Sequence, residues 1–176
     1  MKAKRILIAL AMLAGIATNA RADTPWVKEV KELYKEVKQS VKLAGDKDDH
    51  TWFCMKVDDN FYRKKPPYEV GRTSLLFYYT IDEEALFQHL HYIVEKWYNN
   101  DFTLSRVTEY LIRDGVCAYV KTNIIEGDVS ELYIADDGSS LFFLNGNPTP
   151  EQGYMEMEKT SVETYMQIFG TLHAAG

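Results

Sequence analysis

The chain has 176 residues, with 26 acidic and 20 basic side chains and a formal net charge of −6 at pH 7. This length suits one globular domain with a hydrophobic core of its own. An acidic chain without a cluster of basic residues argues against binding to nucleic acid or to an anionic membrane surface.

Residues 1–22 have the three parts of a secretory signal peptide. A basic start precedes an apolar run over 6–17, and Ala20-Arg21-Ala22 supplies the small-x-small cleavage motif. The apolar run is too short for a membrane-spanning helix. We therefore expect export to the periplasm or the medium, and a mature chain, 23–176, that forms a single domain without a membrane span.

The first element of the mature chain is predicted to be an amphipathic helix that ends near Gly45. Thr24 is placed as its N-cap and Pro25 as its first residue. Apolar residues then recur at helical spacing, with lysines and glutamates between them. These apolar residues are Trp26, Val27, Val30, Leu33, Tyr34, Val37 and Val41.

Two Asp-Gly dipeptides, Asp114-Gly115 and Asp137-Gly138, each lie between segments rich in β-branched and aromatic residues. Asp-Gly is typical of tight hairpins because both residues tolerate positive φ. Two-residue loops at both sites predict these cross-strand pairs: Leu111 with Ala118, Glu109 with Val120, Ile134 with Leu141, and Leu132 with Phe143. A slip of one residue would exchange the two faces of the strands.

Residues 85–98 fit both helical and alternating patterns, and their β-branched and aromatic content favours a strand. Further along, 145–152 is predicted to be a loop and 154–158 an edge strand. The acids Glu156 and Glu158 are interpreted as solvated. The spacing of the last apolar residues allows a C-terminal helix containing Val162, Tyr165, Met166, Phe169 and Leu172. Together these elements predict an α+β fold: a long N-terminal helix packed on an antiparallel β-meander of about seven strands.

Three segments, 75–90, 107–120 and 131–144, weakly echo one another in sequence. With the signal peptide, the TPWVKEVKELYKEVK helix and the EYLIRDG phrase, they make the chain resemble small exported proteins of unknown function from gut-dwelling Gram-negative bacteria. The resemblance covers roughly 24–144. It implies an N-terminal helix with an antiparallel meander and a periplasmic or secreted location, and it supplies no catalytic residues.

His89-x-His91 is the sharpest local chemical pattern. On a strand, both imidazoles and the Glu95 carboxylate would share one face, and two histidines with a carboxylate can hold zinc. Two half-exposed strand histidines are the plainer interpretation. Cys54 and Cys117 could form one disulfide in an oxidising compartment, remain separate thiols, or supply a nucleophile. A metal-dependent or thiol hydrolase using these residues is therefore the alternative function.

The leading functional hypothesis comes from the aromatic residues. By strand parity, Tyr110, Tyr119, Tyr133 and Phe142 would line the outer face of the meander. An exposed aromatic row can bind a protein or stack on a sugar. The sequence therefore favours a non-catalytic binding module for an unknown protein or carbohydrate ligand, with no cofactor or metal expected; burial of this face beneath the C-terminal helix or a loop is the competing interpretation.

Overall fold

The fold was described from a computed structural model, which describes residues 24–46, 51–62, 69–82, 87–150 and 152–174. The predicted signal peptide, 1–22, lies outside the described residues. None of the helices within these ranges is both long and apolar enough to cross a membrane.

The predicted N-terminal helix is confirmed as α1, Pro25–Asp46. Its first turn is closed by the Lys28 amide, which donates to the Thr24 carbonyl oxygen at 3.2 Å. The predicted apolar stripe is the buried side of the helix, where Val27 and Val30 are fully buried. The amphipathic spacing therefore correctly identified the surface that packs on the sheet.

The sheet is an antiparallel meander in which every strand pairs with its neighbours in sequence, in the order β1 to β8. Segment 85–98 contributes a strand, as its composition favoured. The bounds are β1 Phe53–Tyr62, β2 Glu69–Asp82, β3 Phe87–Tyr98, β4 Leu104–Arg113, β5 Val116–Ile124, β6 Val129–Ile134, β7 Ser140–Leu144 and β8 Asn147–Pro148. The α+β class and the meander are thus confirmed, and the two-residue β8 is the eighth strand.

Helix α2, Gln152–Ala174, follows the sheet. The edge strand predicted over 154–158 is wrong, because those residues form the first turns of this helix. Val162 and Phe169 of α2 join a core cluster on one face of the sheet, and Val27, Val30 and Val37 of α1 join a second cluster. We call these faces the α2 face and the α1 face.

The β6–β7 register differs from the prediction by one residue. Ile134 pairs with Ser140 rather than Leu141, and Leu132 pairs with Phe142 rather than Phe143. The cause is a three-residue loop: the Ala135 amide donates to the Ser139 carbonyl oxygen, and Gly138 has a φ of 80°. An Asp-Gly dipeptide also suits this longer loop, in which a glycine at positive φ forms a bulge.

The β4–β5 turn is as predicted, with Asp114 at a φ of 51° and Gly115 at 76°. The cross-strand pairing beyond the turn differs from the prediction, because an irregularity between Leu111 and Ile112 shifts the register. Leu111 therefore pairs with Tyr119 rather than Ala118. Glu109 likewise pairs with Lys121 rather than Val120. One extra residue in a strand exchanges the faces of everything after it.

Candidate functional site

The predicted aromatic surface is not exposed. Tyr110, Tyr119, Tyr133 and Phe142 are buried, with at most 6% of any of these residues accessible. They also lie on different faces: Tyr110 and Phe142 on the α2 face, Tyr119 and Tyr133 on the α1 face. The register shifts separate them, and the two helices cover both faces, so these four side chains form parts of two cores rather than one binding surface.

A cleft of about 580 Å³ lies at one end of the sheet. Strands β3 and β4 are paired as far as Tyr92 and Leu111, whereas β3 and β2 stay paired as far as Phe87 and Asp82. The start of β3 therefore parts from the β4–β5 turn, and the gap between them is the cleft. We call it the end cleft.

Both helices and the sheet contribute walls to the end cleft. Its apolar side chains are Leu33 and Val37 from α1, Met166 and Phe169 from α2, and Leu90 and Ile112 from the sheet. Its polar side chains are Gln88, His89, His91, Arg113 and Asp114. An apolar interior with a few polar groups is the general composition of small-ligand sites.

The two histidines lie together, as the strand interpretation required, with ring centroids 6.5 Å apart. His91 is the extra residue of an irregularity in the β2–β3 pairing. Its Nε2 lies 2.8 Å from Thr80 Oγ1, and its ring packs on Trp52 at 5.1 Å between centroids. Burial, with a smaller contribution from the neighbouring His89, lowers the pKa of His91. The neutral imidazole is therefore favoured at neutral pH.

Glu95 does not join the histidines, so the His-His-Glu arrangement considered as the alternative is not formed. The Trp52 ring, which packs on His91, belongs to the α1-face cluster, so His91 lies on the α1 face. Glu95 instead pairs with Arg106 at 3.1 Å and accepts a hydrogen bond from Tyr110, on the α2 face. The irregularity at His91 breaks the alternation that would have aligned all three side chains. Over the described ranges, three or more His, Cys, Asp or Glu side chains nowhere gather in a group able to hold a metal.

The two cysteines are free thiols, so the disulfide considered from the sequence is not formed. Cys117 is buried, and burial raises its pKa to about 12. Burial also raises the pKa of Cys54, which is exposed at the edge strand β1. Because the thiolate is the reactive form, neither thiol is activated as a nucleophile.

Arg113 and Asp114 lie at the rim of the end cleft. Arg113 forms ion pairs with Glu29 of α1, at 3.3 Å, and with Asp136 in the β6–β7 loop. Both acids are largely exposed, so water or a ligand can readily replace them as partners of Arg113. The rim thus carries one guanidinium and three nearby carboxylates, which disfavours an anionic ligand.

The sequence identified the histidines but not the rest of the end cleft. Arg113 and Asp114 were visible only as turn residues, and Leu33, Val37, Met166 and Phe169 only as helix core positions. These groups come from separate elements, and no spacing along the chain connects them. The only signal in the sequence was that Arg113 and Asp114 are charged residues at a turn and that a predicted strand carries two histidines.

No protein family, curated protein or solved structure matches this chain.

Proposed function

We propose that the protein is an exported, non-catalytic binding module whose ligand occupies the end cleft. The observation that carries this proposal is the composition of the cleft: apolar side chains from both helices below a rim of hydrogen-bonding side chains. Sites of this size and composition bind small molecules or single segments of a larger partner.

A neutral, hydroxyl-rich ligand, such as a carbohydrate, fits the rim best. Imidazole, guanidinium, carboxylate and primary amide groups are planar and can donate or accept hydrogen bonds in pairs. The apolar walls would pack against the C–H faces of a sugar. A peptide segment of a protein partner is the second ligand class, since the same groups would bind its backbone.

The hydrolase alternative has less support than binding. Both thiols have raised pKa values, and the carboxylate that would complete the histidine triad lies on the other face of the sheet. Both histidines line the cleft wall, which supports a role in hydrogen-bonding a ligand there.

The proposal is tested by isothermal titration calorimetry of the chain beginning at Asp23 against a panel of neutral oligosaccharides, with acidic oligosaccharides and short neutral peptides as the other classes. His89→Ala and Asp114→Asn should each weaken binding by about tenfold, the effect of losing one ligand hydrogen bond. Asn tolerates the positive φ of Asp114, so the turn is preserved.

Asp137→Asn is the matched control, because it makes the same change in the other Asp-Gly loop and Asp137 does not line the end cleft. The control should bind like the wild type. Equal weakening in both Asp→Asn variants would contradict the cleft as the binding site, and binding of the acidic oligosaccharides alone would contradict the assigned ligand class.

A further inference from the structure

A group of polar side chains is buried between the first half of α2 and the sheet. Glu158 of α2 is 8% exposed and Glu95 of β3 is 4% exposed. The interpretation of Glu158 as a solvated acid is therefore wrong, whereas Glu156, two residues earlier on the helix, is exposed. Two carboxyl groups are thus brought together in the interior.

The Tyr110 hydroxyl lies between these carboxyl groups, 3.3 Å from Glu95 Oε2 and 3.2 Å from Glu158 Oε2. A hydroxyl has one proton and can donate to only one of them. If both acids were ionised, the other carboxylate oxygen would face the lone pairs of the tyrosine. A proton on one carboxyl group removes this conflict, because that group then donates to the Tyr110 oxygen.

The charges around the two carboxyl groups also favour the presence of one proton there. Arg106 is the cation facing the two acids, and it pairs with Glu95 at 3.1 Å. Thr122 donates to Glu158 Oε1 at 3.2 Å, and that contact carries no charge. The other titratable groups facing Glu158 are Tyr110, Tyr165 and Cys117, which are neutral at pH 7. One guanidinium balances one carboxylate and leaves the second uncompensated.

We propose that Glu158 holds a proton when α2 is packed on the sheet beside the Glu95–Arg106 ion pair, and that loss of this proton to solvent as the pH rises loosens the first half of α2. An adjacent buried acid makes ionisation of a carboxyl group more costly. The packed helix therefore acts as a pH-sensitive element.

The direction of the pH response follows from burial. Burial raises the pKa of Glu158, outweighing its hydrogen bonds from Tyr110 and Thr122. The packed state therefore holds the proton more tightly than the unpacked state does. Packing is fully stabilised below the ordinary glutamate pKa of 4.5 and weakens as the pH rises through the raised value.

The same helix lines the end cleft through Met166 and Phe169. A change in the packing of α2 would therefore change the shape of that cleft. This consequence rests on the proposed function, whereas the proton on Glu158 does not.

Hydrogen exchange measured without ligand tests directly for the proton on Glu158. Protection of the amides of residues 158–166, corrected for intrinsic exchange rates, should fall between pH 5 and pH 8 by up to about tenfold per pH unit, the limit for release of one proton. Glu158→Gln mimics the protonated acid and should make protection independent of pH. Glu156→Gln, on the exposed side of the same helix, should behave like the wild type.

Glu95→Gln is a second, independent variant, because it leaves Arg106 to balance Glu158 alone; it too should remove the pH dependence. It decides the question if Glu158→Gln does not fold. Constant protection in the wild type, or an unchanged fall in a Gln variant that folds, would overturn the proposed proton on Glu158. Because no ligand is present, a failure of the end cleft to bind carbohydrate leaves this result unaffected.

Discussion

Glu109, beneath α1, and Glu158, on the side of α2 that faces the sheet, are both withdrawn from solvent, yet their pKa values shift in opposite directions. Burial opposes ionisation at both positions. At Glu109, hydrogen bonds from Lys38, Tyr34 and Tyr92 outweigh burial and lower the pKa. At Glu158, hydrogen bonds from Tyr110 and Thr122 do not outweigh burial, and the pKa is raised.

The difference lies in the number of donors and the position of the cation. Lys38 lies 2.8 Å from Glu109 Oε1, and Tyr34 donates to Oε2 at 2.6 Å. Arg106, in contrast, pairs directly with Glu95 rather than with Glu158. An ionised carboxylate is stable in a protein interior only if charged or multiple donors replace water. The α1 face meets this condition at Glu109, and the α2 face does not meet it at Glu158.

The two helices should therefore respond oppositely to pH. A lowered pKa gives stability that is present above 4.5 and lost as the pH falls through the lowered value. A raised pKa gives stability that is lost as the pH rises. Packing of α1 should accordingly weaken in acid, and packing of α2 should weaken towards neutral and alkaline pH.

The largest effect should come from the buried aromatic side chains, which contribute to the cores on both faces of the sheet. Tyr110→Ala and Tyr119→Ala should each lower the free energy of unfolding by about 3–5 kcal/mol, because each removes a fully buried ring. Urea denaturation measures the loss. Val116→Ala, on the same strand as Tyr119 but 62% exposed, should change it by less than about 0.5 kcal/mol. An unaltered stability for Tyr119→Ala would mean that α1 does not cover this face.

An intermediate effect should come from Glu109→Gln. It replaces charge-assisted hydrogen bonds by neutral ones and should lower the free energy of unfolding at pH 7 by about 1–3 kcal/mol. It should also remove the loosening of α1 below pH 4.5, measured by hydrogen exchange of the α1 amides.

Glu36→Gln is the control for Glu109→Gln, since Glu36 is an exposed glutamate of α1, the helix whose Lys38 and Tyr34 contact Glu109. It should leave both the stability and the acid response close to those of the wild type. If Glu36→Gln also removed the acid response, general charge repulsion rather than the Glu109 contacts would control α1.

The smallest effect should come from the exposed ion pair at the cleft rim. Asp136 is 89% exposed, and Asp136→Asn should change the free energy of unfolding by less than about 0.5 kcal/mol. Urea denaturation at low and high salt measures the change. A loss above about 1 kcal/mol would show that an exposed ion pair also contributes strongly to stability. Burial would then not explain the difference between the acids packed at the helices and the charges at the rim.

Much of the fold could be predicted because its signals are local. The spacing of Val27, Val30 and Val37 defined α1, and the Asp114-Gly115 turn formed as expected. The register was not predictable, because Asp137-Gly138 suits both two- and three-residue loops. The irregularity at His91 was equally invisible, and it separated the histidines from Glu95.

The sequence by itself determined α1, the strands on either side of the two Asp-Gly turns and the meander order, since periodicity and turn chemistry act within a few residues along the chain. Only the tertiary structure decided which faces are covered, which acids are buried and where the cleft opens. These properties depend on α2 packing opposite α1, and on contacts such as Tyr110 to Glu158 that join residues 48 positions apart. A side chain's environment, and with it its charge and exposure, is set by neighbours that sequence spacing does not specify.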